Sequence, residues 1–311
     1  MPQRDVLVVV QKGDHSIGLY DFTGGAELAR IPVDPFPHEF AVGRDGRYAY
    51  SCHFGVALAE DEGEGGNTVS IVDLAARRRV GTIDCGRHRR PHGIALDASG
   101  AVYVLSEHDG VMLVARDPLT GRVDQVQPTG GDGSHILSVT ADGARAFASN
   151  MRSGTVTALF PQEPDRPPVV MPSGARPEGS ALDEAGGRLY VANRESADIG
   201  VFDANRLVAL DPIRTPEGPV RLCWGPSGLL LAALYHARGL AVIDPARPAA
   251  QRFLALPEKP ISVSYHSGSR SAVLGTFGDR VAIVDVDRME VRREIRTRAD
   301  PDPTAIVSLP E

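Results

Sequence analysis

The stretch Arg176-Pro177-Glu178-Gly179-Ser180-Ala181-Leu182-Asp183 returns, with variation, along the whole chain. Earlier copies read Phe36-Pro37-His38-Glu39-Phe40-Ala41-Val42 and Arg90-Pro91-His92-Gly93-Ile94-Ala95-Leu96-Asp97, with a looser one at Gly133-Ser134-His135-Ile136-Leu137. Later copies read Gly218-Pro219-Val220-Arg221-Leu222, Lys259-Pro260-Ile261-Ser262-Val263 and Asp302-Pro303-Thr304-Ala305-Ile306. One position of the repeat therefore runs His38, His92, His135, Glu178, Val220, Ile261 and Thr304. His38 and His92 stand 54 residues apart, and the other intervals are 41 to 43 residues.

Between copies the chain shows short β-branched runs bounded by Gly, Pro and Asp-Gly turns. The second copy is typical. Its runs are Gly93 to Leu96, Val102 to Leu105, Val111 to Arg116 and Val123 to Gln127, with a turn at Ala98-Ser99-Gly100. A unit of roughly 40–45 residues holding four such strands is the pattern of a β-propeller. The long first interval contains an acidic, Gly-rich insertion from Val56 to Gly66. After the last copy only one strand's worth of chain remains, while three strands (5–10, 17–22 and 26–32) precede the first. The sequence thus predicts one all-β domain over residues 1–311: a seven-bladed propeller with four antiparallel strands per blade. The C-terminal inner strand is expected to close the ring against the three N-terminal strands, because an open ring leaves an unpaired edge.

Composition agrees and narrows the function. The 33 glycines and 24 prolines suit many tight turns, and 42% hydrophobic content suits a core built without disulfides. A net charge of -7 argues against nucleic acid, whose binding needs a basic stripe. Cys52, Cys85 and Cys223 form no CxxC pair, which suits a reducing compartment. No window approaches the roughly 18 apolar residues of a membrane span, and the N-terminus lacks signal-peptide features, so a cytoplasmic location is expected.

In the fourth copy, Gly187-Arg188-Leu189-Tyr190-Val191-Ala192-Asn193 resembles the YVTN-type repeat. That family and its lactonase-type relatives carry a Pro-x-Gly-Ile-Ala start, an Asp-Gly turn and a Tyr-Val-x-Asn strand. The resemblance implies the propeller fold and leaves activity open, since one fold hosts many functions.

Function must come from the column. In a propeller the inner strands line the central channel, so one repeat position converges on the axis at one height. His38, His92, His135 and Glu178 are therefore expected to form a metal site. Three imidazoles and a carboxylate suit a divalent transition metal, iron first, with manganese, zinc, copper or nickel also compatible. Glu39 follows His38 directly, and strand alternation would turn it away from the site. Val220, Ile261 and Thr304 would form a weakly ligating wall for substrate, leaving open coordination positions as a catalytic metal requires. Loops after the second strands open on the same face. They bring Lys12 and Arg194 as partners for an anionic small molecule, and His53, Tyr235 and His236 as candidate proton-transfer groups. Two enzyme classes follow: an Fe(II) oxidoreductase activating dioxygen, or a metal-dependent lyase or hydrolase stabilising an enolate or oxyanion. A non-catalytic propeller binding a ligand or protein is the third possibility.

Overall fold

The computed structural model describes residues 3–310, and these form seven four-stranded antiparallel sheets in a ring. The first blade runs outward from the axis through Pro37–Val42, Tyr48–His53, Thr68–Asp73 and Arg78–Asp84. The next five begin with inner strands at Pro91–Leu96, Ser134–Val139, Pro177–Asp183, Pro219–Trp224 and Ser264–His266. The seventh takes its inner strand, Pro301–Pro310, from the C-terminus and its outer three from the N-terminus: Gln3–Gln11, Ser16–Asp21 and Glu27–Pro32. The predicted fold and ring closure are both present. Helix is confined to single 3-10 turns such as Lys12–Asp14, and no helix of the described residues is long and apolar enough to cross a membrane.

The blades adhere because each strand alternates its apolar residues between the two faces, and each face meets a neighbouring blade. At the closure, Val8, Val10, Ile17 and Leu19 of the seventh blade pack on Phe40, Val72 and Leu74 of the first. On the other side, Leu7, Val9 and Tyr20 meet Val273, Val281 and Ile283 of the sixth. Repeated at each junction, this packing leaves a closed ring of cores and a polar axis.

One irregularity recurs and positions the site. In the first blade Pro37 pairs with His53 and Phe40 with Ser51, so the inner strand holds one extra residue. The same bulge follows Pro91, Ser134, Pro177 and Pro219. A bulge breaks alternation locally, so two consecutive side chains point the same way. Ahead of it sits a left-handed residue: Phe36, Arg90, Arg176 and Asp300 all have φ of 50–55°. Such residues are uncommon outside glycine, which makes them a good marker of the repeat's register.

The closure carries measurable stability. Leu309 is buried between the seventh and first blades. Leu309→Ala should cost about 2–4 kcal/mol, read as a lowered denaturant midpoint. Deleting residues 302–311 should leave the chain insoluble or unfolded by circular dichroism.

Candidate functional site

The register corrects one member of the column. Pro301 pairs with Gln11 as Pro37 pairs with His53, and it follows left-handed Asp300. Pro301 is therefore the repeat proline, and Asp302 replaces Thr304 at the column position. Thr304 lies two residues further along, where its hydroxyl bonds the Ser264 hydroxyl at 2.9 Å. The Asp-Pro-Thr spelling misleads because this copy holds two prolines, Pro301 and Pro303. The true column is His38, His92, His135, Glu178, Val220, Ile261 and Asp302, and all seven line one chamber of about 280 Å³ at the mouth of the channel.

The three histidines are each held through one nitrogen. His92 Nδ1 lies 3.0 Å from the His135 carbonyl, so it must be the donor, leaving a lone pair on Nε2. Gly93 permits this approach, since a Cβ there would lie 2.5 Å from the same carbonyl. His38 Nε2 lies 3.2 Å from the Val56 carbonyl and donates to it, leaving a lone pair on Nδ1. His38 Nδ1 and His92 Nε2 then face each other 3.3 Å apart. Burial pushes both imidazoles well below their ordinary 6.5, with Lys12 adding to the effect at His38 and His135 at His92. The His135 ring stacks on His92 with centroids 3.9 Å apart, and its Nδ1 meets Glu107 Oε2 at 2.8 Å.

Glu107 comes from outside the column, directly after the second strand of the second blade, and is only 1% exposed. His92, Glu107 and His135 offer ligand atoms that all lie within 4.8 Å of one another, and this group could hold a metal ion. Glu178 has different company. Its Oε1 accepts from Arg176 Nε and Arg194 Nη1, both at 3.1 Å, and Arg221 Nη1 lies 3.6 Å from Oε2. Burial pushes its carboxyl up, but His135, Arg221 and Arg194 together outweigh this and hold it below the usual range.

Arg221 and Glu39 share the repeat position after the column, so the bulge turns both into the channel. Glu39 does not point away as alternation implies. It takes Arg221 Nη2 at 2.5 Å, and Arg221 itself lines the chamber. The Val56–Gly66 insertion forms the roof. Ala57, Leu58, Ala59 and Glu60 line the chamber from above, while the buried Arg90 donates to the carbonyls of Ala59, Asp61 and Gly63 at 2.6–2.9 Å.

Of the rim residues predicted from sequence, Lys12, Arg194 and Tyr235 line the chamber. Lys12 Nζ pairs with Asp302 Oδ2 at 3.1 Å, and the Arg194 guanidinium lies 4.2 Å from the Tyr235 ring centroid. His53 and His236 do not line it. His53 turns toward Thr68, 3.2 Å from its hydroxyl, and His236 sits outside against Glu195 at 3.5 Å. A larger depression of about 690 Å³ beside Trp224 on the opposite face contains none of the column.

No family model matches this chain, and no curated protein does. Among solved structures it is similar to the crystal structure of a functionally unknown protein from Desulfotomaculum acetoxidans DSM 771. The TM-score is 0.78 at 12% identity, covering 97% of this chain and 98% of that one. That likeness speaks to the fold alone.

The buried histidines set a pH dependence of stability in metal-free protein. Their folded values lie below the unfolded value, so the unfolded chain binds protons first as pH falls. The stability they contribute is complete above about pH 6.5 and is lost as pH drops toward the folded values. The melting temperature should therefore fall between about pH 7 and about pH 5, and less steeply in His38→Gln/His92→Gln.

Proposed function

We propose that the protein is a metal-dependent enzyme acting on a small anionic molecule in this chamber. The observation that carries the proposal is the 3.3 Å approach of His38 Nδ1 and His92 Nε2, each deprotonated because its other nitrogen donates to a carbonyl. Two lone pairs this close repel unless a cation lies between them. Burial works against a proton there. Two nitrogens bound tetrahedrally to one ion at about 2.0–2.1 Å lie about 3.3–3.4 Å apart, so the spacing suits a divalent transition metal. Glu107 on His135 Nδ1 matches the outer-shell carboxylate that fixes a ligating histidine and raises its basicity. In this arrangement His38 and His92 hold the ion between them, and the neighbouring His135 and Glu107, grouped with His92, orient or complete the set.

A bound ion supplies Lewis acidity, and iron would add redox chemistry. The chain's own groups supply the rest. Arg194 and Arg176 offer guanidinium groups to an anionic substrate, and Val220, Ile261 and Tyr235 give its body an apolar wall. An imidazole-rich donor set supports the iron oxidoreductase. Arginines poised beside a carboxylate-oriented histidine support the lyase or hydrolase, in which they would stabilise an enolate or oxyanion. The carboxylate of Glu178 serves the arginines in either case.

Elemental analysis of purified protein should find about one transition-metal ion per chain. Glu107→Gln should weaken metal affinity about 10–100-fold, and His92→Ala/His135→Ala should abolish binding. Iron with dioxygen consumption would favour the oxidoreductase. Zinc or manganese with turnover unaffected by removing dioxygen would favour the lyase or hydrolase. Protein that takes up no metal on reconstitution would sink both.

A further inference from the structure

The roof carries a carboxylate of its own into the arginine cluster. Glu60 Oε1 lies 2.7 Å from Arg176 Nη2, joining the first blade's insertion to the fourth blade across the mouth. Arg176 uses its Nε for Glu178, so one guanidinium bridges a buried carboxylate and an exposed one. The two differ sharply: the Glu178 side chain is 7% exposed and the Glu60 side chain 61%. The backbone on either side of Glu60 is secured separately. Arg90 holds the carbonyls of Ala59, Asp61 and Gly63, His38 binds that of Val56, and Arg89 lies 3.5 Å from Glu64. The roof is thus fixed in its main chain and free at one side chain.

We infer that Arg176 is the seat for a substrate carboxylate, and that Glu60 occupies this seat as an exchangeable internal surrogate. An exposed ion pair contributes only about 0–1 kcal/mol, so an incoming carboxylate can displace it. Glu60 then swings toward solvent while the strap stays in place. The ligand class follows from the occupant: a small organic monocarboxylate whose apolar part lies toward Tyr235, Phe277 and Ile261, all lining the chamber. A planar carboxylate fits the guanidinium fork by two parallel hydrogen bonds. Arg194 stands beside the seat, already committed to Glu178 and, at 3.6 Å, to Glu195.

The inference rests on the anionic-substrate part of the function proposed above. Its test uses metal-stripped, dialysed full-length protein, so failure to find a metal leaves it standing. Isothermal titration calorimetry with benzoate is the measurement. Glu60→Gln removes the competing carboxylate from an exposed position and should bind benzoate about two- to fivefold more tightly than wild type. Arg176→Gln should lose binding while still unfolding cooperatively, at a melting temperature lowered by the loss of a Glu178 partner. If Arg176→Gln does not fold, the comparison of Glu60→Gln and Glu60→Ala with wild type decides alone. Equal affinity in wild type and both Glu60 variants, or no binding by any of them, overturns the inference. Binding of inorganic phosphate in place of benzoate overturns the carboxylate assignment.

Discussion

A single extra residue near the start of each inner strand governs this molecule's chemistry. In a regular strand, only alternate side chains would reach the channel. The bulge presents two in succession, so each blade contributes a column residue and the residue after it. The first ring gives the histidines, Glu178 and Asp302. The second gives Glu39 and Arg221, and it gives glycine at 93 and 179, where adjacent inner strands press together. The candidate ligands, the Arg221–Glu39 pair and the close packing are thus products of one backbone device repeated around the ring.

Burying so many charges at the axis costs solvation, and the geometry shows how that cost is met. Three carboxylates at the axis each touch at least one cation: Glu178 meets three arginines, Glu39 meets Arg221, and Asp302 meets Lys12. Removing one partner from such a lattice strands the others, which is worth several times an exposed pair. The lattice also sets protonation. Arg221 is driven further toward its charged form by Glu39, Asp302 and Glu178 against its own burial. The axis therefore offers fixed positive charge on the fourth and fifth blades and neutral nitrogen on the first and second.

Much of this was legible in the chain. The period, the turns and the split between N-terminal and C-terminal strands encode the ring directly, because each blade repeats one local pattern. His38, His92, His135 and Glu178 were legible as a column for the same reason. What escaped notice depends on contacts that a period does not carry. Asp302 was hidden by a second proline, Pro303, directly after it, which shifted the apparent register to Thr304. Glu39 was hidden because alternation assumes an unbroken strand. Glu107 stands in a loop position that looks like a solvated rim, and only the fold reveals it as fully buried against His135. His53 and His236 illustrate the converse: both belong to the correct face, but side-chain partners turn them elsewhere.

The Arg221–Glu39 bridge has a consequence for the rigidity of the ring. Arg221 of the fifth blade and Glu39 of the first meet through a part-buried ion pair between two inner strands. The pair joins the first and fifth blades, which are not neighbours in the ring, so it braces the ring from within. Such a brace resists the separation of blades that no shared packing face holds together.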